Sequence, residues 1–278
     1  MTRPATWHDF RGRVVLVTGG TKGIGLATGV AFARRGAAVT LTHKWGSADL
    51  DGIRASFAAA GAGEPYIVEA DAAHDEDVRA VLTALRERHG WLDILVSNLA
   101  FAPIIRGFEE YTRRGLAAAI DYSAWPIVSH TRLAKELFDR YPRYIIGVSS
   151  EGTESYHVNY DFVAASKAAL EALCRYMHHR LRDEGAAVNI VRTRFVSTES
   201  LHATFGEEFE PFVQSHSPGV FTSPEEIAEA IVGLCSGLMD GVGGQIVTVD
   251  RGASVFENFS RLYAERDRHP LGTMRRFE

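Results

Sequence analysis

The chain contains little cysteine, and its cysteines form no motif. Only Cys174 and Cys235 occur among the 278 residues, without a CxxC pair or a metal-ligand spacing. Both lie in segments predicted to be helical, where a cysteine is usually a small buried thiol. We therefore expect no redox role for either cysteine, and no metal site.

Long apolar runs, repeats and a strong net charge are also lacking. No stretch of about 18 apolar residues could span a bilayer, and the first residues do not have the layout of a signal peptide. The net charge of −5 argues against a nucleic-acid scaffold, although not against a local basic patch. We expect a cytoplasmic protein that binds neither membrane nor nucleic acid.

Short runs rich in Val, Ile and Leu alternate with longer amphipathic segments along the whole chain. This alternation predicts one α/β domain over residues 1–278, a Rossmann-type doubly wound parallel sheet of about seven strands with helices on both faces. The predicted strands are 13–18, 37–43, 65–70, 92–97, 144–149, 187–193 and 245–249. The predicted helices are 23–35, 49–60, 75–89, 112–141, 160–184 and 224–237.

Two segments fit the alternation poorly. Residues 199–219 carry Gly, Pro and several aromatics and follow the carboxyl end of a predicted strand, where doubly wound sheets bind ligands. We interpret them as a substrate lid, the alternative being an ordinary surface excursion. Residues 253–278 form a C-terminal extension rich in Phe, Tyr and Arg. The sequence leaves open whether it packs on a neighbouring subunit or is disordered.

A glycine-rich turn follows the first predicted strand and leads into a helix. Gly19 permits the sharp turn, Gly23 lets the backbone approach a pyrophosphate, and Gly25 lets the helix pack closely on the sheet. This strand-turn-helix context predicts a dinucleotide site. The candidate cofactor ligands in the turn are Gly19, Thr21, Lys22, Gly23, Ile24 and Gly25.

The end of the second strand bears on the choice of cofactor. Sites that prefer NAD usually carry an acid there, whereas this strand ends in His43 and Lys44. Lys44 can pair with a 2′-phosphate, and Lys22 can reach the same region. The sequence therefore favours NADPH, the alternative being that both lysines are solvated surface charges.

Tyr160 and Lys167 lie seven residues apart at the start of an Ala-rich segment. Together with the glycine turn, this pair resembles the short-chain dehydrogenase/reductase family. In most of that family the catalytic tyrosine lies four residues before the lysine, where this chain has Val163. The displaced tyrosine resembles the pattern of the NADPH-dependent enoyl-(acyl carrier protein) reductases of the short-chain type.

The resemblance implies hydride addition to C3 of an enoyl thioester, with negative charge developing on the thioester oxygen. Tyr160 would hydrogen-bond that oxygen, Lys167 would bond the nicotinamide ribose, and Ser150 would position the substrate. If the segment is helical back to Tyr160, a tyrosine seven rather than four residues before the lysine stays on about the same helix face. The shift also moves the tyrosine by roughly 4–5 Å along the axis, which suits the longer reach to this oxygen.

Further cofactor contacts follow from position in the family. Asp71, followed by Ala72, takes the place of the acid that bonds the adenine amino group. Asn98 begins the loop after the fourth strand. Val196 would hold the nicotinamide carboxamide through its backbone, and Thr198 would bond the pyrophosphate.

Two other functions stay open. Departures from the family motifs at residues 97–100 and at Arg194 and Phe195 suggest a ketoreductase or enone reductase that tailors a secondary metabolite. Val163 at the usual tyrosine position suggests a cofactor-binding sensor without turnover. For the leading hypothesis, a role in fatty acid or polyketide biosynthesis, the carrier is either an acyl carrier protein or coenzyme A.

The remaining predictions concern partners and histidines. Arg192 and Arg194 are candidates for a basic patch that receives an acidic carrier protein. His157, and the pair at 178–179, are predicted to face solvent or to pack, because the sequence shows no acid partner for them. By resemblance we expect a homodimer or homotetramer with helices 112–141 and 160–184 at the interface.

Overall fold

The computed structural model describes residues 9–44, 46, 48–217, 219–255, 260 and 263–264. One parallel sheet has the strand order β3-β2-β1-β4-β5-β6-β7, which confirms the doubly wound α/β fold. The direction of winding reverses between β1 and β4, so ligand-binding residues are expected at the carboxyl ends of these strands. The strands are β1 (Val14–Thr18), β2 (Ala38–His43), β3 (Tyr66–Glu69), β4 (Ile94–Ser97), β5 (Tyr144–Ser150), β6 (Ala187–Thr193) and β7 (Ile246–Val249).

Helices cover both faces of the sheet. The α-helices of the described part are α1 (Gly23–Ala33), α2 (Leu50–Ala59), α3 (Asp75–His89), α4 (Arg113–Ser123), α5 (Trp125–Phe138), α6 (Asp161–Leu181), α7 (Glu199–Phe205), α8 (Phe209–His216) and α9 (Pro224–Leu234). Within the described residues, no helix is long and apolar enough to cross a membrane.

The first strand shows why the strands are continuous apolar runs. Val15 and Val17 pack into the core formed with α1, α2 and α9, whereas Val14 and Leu16 pack into the core formed with α3, α5 and α6. Successive side chains of a strand point to opposite faces, so a strand covered on both sides is apolar at most positions. Burial of each large apolar side chain stabilises the fold by about 1.5–3 kcal/mol.

The prediction of a single helix over 112–141 is wrong, because the chain forms the two helices α4 and α5 there. Ala124 lies between α4 and α5 with φ −115° and ψ −48°, and Pro126 lies in the first turn of α5. Proline has no backbone N–H and collides with the preceding helical turn, so a continuous helix through this position is disfavoured. The predicted helix 160–184 ends as an α-helix at Leu181 and continues as a 3₁₀ turn.

The segment predicted to be a lid contains the two short helices α7 and α8. At its base, Val196 pairs with Thr222 in an isolated parallel bridge, and Thr222 donates to the Phe195 carbonyl. The two ends of the segment are therefore joined just beyond the end of β6, and the chain continues into α9. Most of the predicted C-terminal extension lies outside the described residues, apart from a 3₁₀ turn at Ala253–Val255 and residues 260 and 263–264.

Candidate active site

A cleft of about 610 Å³ opens at the carboxyl ends of the central strands. It is bounded by the glycine turn after β1, the loop after β4, the end of β5, the start of α6 and helix α7. The sequence-predicted residues that line it are Gly19, Lys22, Gly23, Ile24, Asn98, Ser150, Tyr160, Lys167, Val196 and Thr198. Residues that are distant in sequence thus meet where parallel strands end.

The glycine turn has the backbone conformation that its sequence predicts. Gly19 and Gly23 have φ values of 59° and 48°, the left-handed region that favours glycine. A Cβ on Gly25 would collide with the Gly19 carbonyl oxygen and lie 2.6 Å from Asn98 Nδ2. That amide donates to the Gly19 carbonyl at 2.9 Å. The turn is therefore held in shape at the N-terminus of α1, where backbone N–H groups favour an anion.

Thr198 lies directly across from the glycine turn. A Cβ on Gly23 would approach its Cγ2 to 3.1 Å, and its Oγ1 caps α7 by accepting from the Leu201 N–H. Val196, two residues earlier, is buried at the edge of the cleft. The structure thus brings both residues to the same cleft as the glycine turn.

Lys44 and Asp71 form an ion pair at the end of β2, and Tyr122 joins them. The Tyr122 hydroxyl accepts from Lys44 Nζ at 2.5 Å and donates to the Asp71 carboxylate at 3.1 Å. Asp71 also accepts from the Ala73 N–H, and Ala72 between them is buried. Burial acts to raise the pKa of Asp71, but these hydrogen bonds outweigh it and lower the pKa below its ordinary value. Lys44 is therefore not a solvated surface charge.

Lys22 and His43, two further predicted cofactor ligands, have different surroundings. Lys22 Nζ forms an ion pair with the Glu199 carboxylate at 2.7 Å, which links the glycine turn to the start of α7. Buried Nδ1 of His43 has no hydrogen-bond partner among the described residues. A buried ring nitrogen without a partner is uncommon in proteins, and a bound ligand is one way to supply it.

Tyr160 is the residue that immediately precedes α6, so the helix begins one residue later than predicted. Its carbonyl accepts from the Ala164 N–H at 2.8 Å, which keeps it in line with the first turn. Its ring stacks on Phe205 of α7, with centroids 6.2 Å apart. Burial raises the pKa of the Tyr160 hydroxyl, although a hydrogen bond with Ser150 acts in the opposite direction. The phenol is therefore protonated at neutral pH and can donate.

Lys167 is buried almost two helical turns after Tyr160 on α6, and it lines the cleft. Its Nζ donates to the carbonyls of Leu99 at 2.8 Å and Val148 at 2.7 Å. Burial lowers the pKa of Lys167 to about 7, although the nearby Glu171 carboxylate acts in the opposite direction. An ammonium has three donors, so one N–H is left for a ligand in the cleft.

His157 has an acid partner, contrary to the expectation from sequence. Its Nε2 lies 2.7 Å from the carboxylate of buried Glu151, and its ring lines the cleft beside Tyr160. The pair is six residues apart and meets because a 3₁₀ turn at Glu151–Thr153 reverses the chain after β5. In the sequence, Glu151 directly after Ser150 is the feature that could have indicated an acid partner for His157. Within the described residues, no cluster of His, Cys, Asp and Glu could hold a metal ion.

Known proteins resemble this chain over most of its length. A family model described as enoyl-(acyl carrier protein) reductase matches residues 19–254. The chain belongs to this family of short-chain dehydrogenases/reductases. It is an NAD(P)H-dependent oxidoreductase, and the resemblance drawn from Tyr160, Lys167 and the glycine turn is confirmed at the level of the family.

Individual relatives of this oxidoreductase cover nearly its whole length. The enoyl-(acyl carrier protein) reductase (NADH) of Aquifex aeolicus is 28% identical over 262 residues, 91% of this chain and 95% of that protein. The 1-cyclohexenylcarbonyl-CoA reductase of Streptomyces collinus is 30% identical over 255 residues, 88% of each protein. A dehydrogenase/reductase structure from Sinorhizobium meliloti has a TM-score of 0.79 at 26% identity, covering 90% of this chain and 98% of that one.

Arg192 of the oxidoreductase does not lie on the surface, so its predicted place in a basic patch is wrong. It is buried and binds Glu171 of α6 through Nε at 2.9 Å and Nη2 at 2.7 Å. Ser149 donates to the same carboxylate at 2.7 Å. The network fixes α6 against β5 and β6 and thereby sets the position of Lys167. Arg194 is mostly buried as well, and it donates to the Ala253 carbonyl.

Substitution of Gly152 is expected to displace the tyrosine of the oxidoreductase. A Cβ at Gly152 would lie 2.7 Å from Cδ1 and 2.8 Å from Cε1 of Tyr160. We expect Gly152→Ala to lower kcat on the order of 10- to 100-fold, because small misplacements of catalytic groups carry such losses. The kcat is measured at saturating NADPH with the acceptor that the wild type reduces. Gly233→Ala in α9, whose Cβ meets open space, is the matched control; a Gly152→Ala protein with wild-type kcat contradicts the prediction.

Proposed function

We propose that this oxidoreductase reduces the carbon–carbon double bond of an enoyl thioester with NADPH. The observation that carries the proposal is the arrangement of Tyr160, Ser150 and Lys167 in one cleft, with Val163 in the usual tyrosine position. Valine cannot donate a proton, so the displaced Tyr160 is the phenol available to the acceptor. In the proposal, its position suits an oxygen three bonds from the carbon that receives hydride.

The residues of the cleft fit a nicotinamide dinucleotide. Side chains at the glycine positions would fill the space along the glycine turn, which stays accessible because they are absent. The turn lies at the N-terminus of α1, as pyrophosphate sites do. In the proposal, the turn and Thr198 hold the pyrophosphate, Val196 the carboxamide, Lys167 the ribose, and Asp71 the adenine. When bound, the reduced nicotinamide supplies hydride, and the remaining chemistry falls to side chains of this chain.

Tyr160 and Lys167 divide that chemistry between them. In the proposal, protonated Tyr160 donates a hydrogen bond to the thioester oxygen as negative charge develops there, and Ser150 orients the phenol. Lys167 is held by two carbonyls of β5 and the loop after β4, so its third N–H has a fixed direction. Phe205 closes the cleft over Tyr160 and excludes water from the oxygen, which strengthens these hydrogen bonds.

The preference for NADPH rests on the end of β2. No acid stands there to bond a ribose diol, whereas Lys44 is present and unpartnered His43 Nδ1 lies beside it. A 2′-phosphate would compete with Asp71 for Lys44. The Aquifex relative carries NADH in its name, so the preference of this chain is compared directly in the assay below.

Several aromatic side chains cluster beside the cleft, and they favour a substrate whose acyl group carries a ring or a branch. Phe205 stacks on Phe209 at 4.6 Å, and Phe195 contacts Phe209 at 5.4 Å. The Streptomyces relative is named for a cyclic enoyl thioester. Coenzyme A is the simpler carrier in this proposal, because Arg192 is buried and cannot serve a carrier protein. A homodimer or homotetramer and a cytoplasmic location stay predictions.

The test is oxidation of NADPH, and separately of NADH, with crotonyl-CoA, 1-cyclohexenylcarbonyl-CoA, a β-ketoacyl thioester and a cyclic ketone. We expect turnover of the two enoyl thioesters, with kcat/KM higher for NADPH than for NADH. Reduction of only the carbonyl compounds would overturn the proposal in favour of the ketoreductase that the departures at Arg194 and Phe195 suggest.

A further inference from the structure

His157 and Glu151 form a partly buried pair against the proposed catalytic tyrosine. His157 Nε2 lies 2.7 Å from Glu151 Oε2, and the centroids of the His157 and Tyr160 rings are 6.0 Å apart. Phe195 and Phe205 contact the same imidazole at 5.9 Å and 6.3 Å. The imidazole is therefore held in one orientation at the wall of the cleft, beside the phenol.

The surroundings of Glu151 decide which nitrogen of the ring carries hydrogen. Arg194 Nε lies 3.8 Å from Glu151 Oε2, the same oxygen that His157 contacts, so a positive charge neighbours the carboxylate. An ionised carboxylate only accepts, and Nε2 must therefore donate to it. A carboxylate in this position also stabilises positive charge on the ring. Within the described residues, Nδ1 of His157 has no hydrogen-bond partner.

The proposed reduction needs two different contacts on the acceptor. Hydride at C3 leaves an enolate, whose oxygen receives the hydrogen bond of Tyr160 and whose C2 carbon must gain a proton. Oxygen and C2 belong to one small planar group, so the second donor must neighbour the first. Lys167 and His157 both line the cleft, but two N–H donors of Lys167 are bound to carbonyls and the proposed function assigns the third to the ribose.

We propose that His157, oriented by Glu151, is a second proton donor of the active site and protonates C2 of the enolate. The proposal rests on the enoyl-thioester function. In the step, a lone pair on the enolate oxygen re-forms the C1 carbonyl, and the electron pair of the C1=C2 π bond makes the new C2–H bond. The Nδ1–H bond of the imidazolium breaks, its electron pair stays on nitrogen, and solvent returns a proton to the ring. Glu151 keeps its charge throughout and is a positioning residue.

The test compares wild type with His157→Gln, using crotonyl-CoA and NADPH. Gln can still donate to Glu151 but cannot transfer a proton, so we expect kcat to fall about 100-fold or more. Proton transfer then limits the rate. The solvent deuterium isotope effect should therefore rise, and the isotope effect from NADPH deuterated at the transferred position should fall. Glu151→Gln should change each isotope effect in the same direction as His157→Gln does.

Two controls separate a chemical role from a structural one. NADPH binding, followed by its fluorescence, should be unchanged in His157→Gln, and His179→Gln on the exposed face of α6 should behave as wild type. A fall in kcat with both isotope effects unchanged, or an unchanged kcat, overturns the proposal while leaving the enoyl reductase function intact. A wild-type protein that binds NADPH but reduces no enoyl thioester overturns both.

Discussion

Tyr160→Phe is expected to lower kcat for an enoyl thioester by about 10²–10³-fold, the usual effect of removing one oxyanion donor. The ring would still stack on Phe205, so the fold of the cleft should be kept. Only the hydroxyl that burial keeps protonated, and that Ser150 orients, is lost. The measurement is kcat and KM with crotonyl-CoA at saturating NADPH, together with the Kd for NADPH.

The matched control is Tyr176→Phe. Tyr176 lies on the same helix but is 72% exposed, so its hydroxyl is in water and its loss should leave kcat unchanged. If Tyr160→Phe keeps the wild-type kcat while the chain reduces enoyl thioesters, then another group donates to the oxygen and the assignment of Tyr160 is wrong.

Lys167 is expected to make the cofactor-free protein more stable as pH rises above 7. Burial lowers its pKa from 10.5 to about 7 in the folded protein. Between these values the unfolded chain binds a proton that the folded chain does not, so the free energy of unfolding increases with pH. Since one pKa unit corresponds to about 1.4 kcal/mol, the contribution from pH 7 to about 8.5 is on the order of 2 kcal/mol.

Urea unfolding at several pH values checks this for wild type and Lys167→Met. We expect the difference in free energy of unfolding between the two proteins to change with pH by that amount, and the variant to lose turnover. Comparison of the two proteins cancels the titration of all other groups. Lys135→Met, at a partly exposed lysine, should follow the wild-type pH dependence. Parallel pH curves for wild type and Lys167→Met would show that the buried lysine stays charged.

The sequence was sufficient for the sheet and for the place of the cleft. All seven strands lie within two residues of their predicted ends, because a strand covered on both faces is a nearly continuous apolar run. Ser150, Tyr160 and Lys167 meet in one cleft because strand order brings the carboxyl ends together. These features depend on local pattern and on topology, both of which a sequence displays.

Side-chain partners were not predictable in the same way. Lys44 was expected to face a cofactor phosphate, yet Asp71 and Tyr122 hold it, and they come from two other segments. The pairing of His157 with Glu151 depends on how a short turn reverses the chain after β5. Such contacts are decided by distances of a few ångströms between elements, which spacing along the chain does not fix.

The bridge between Val196 and Thr222 has a consequence for how such an enzyme diversifies. Because this bridge joins the two ends of the chain between them, doubling the length of that stretch costs only about 0.6 kcal/mol of closure entropy. The stretch supplies Phe205, which stacks on Tyr160 and lines the cleft. Exchange of this one contiguous stretch for another is therefore expected to change the wall of the cleft beside Tyr160. The strands and the helix that carry the chemistry are left as they are.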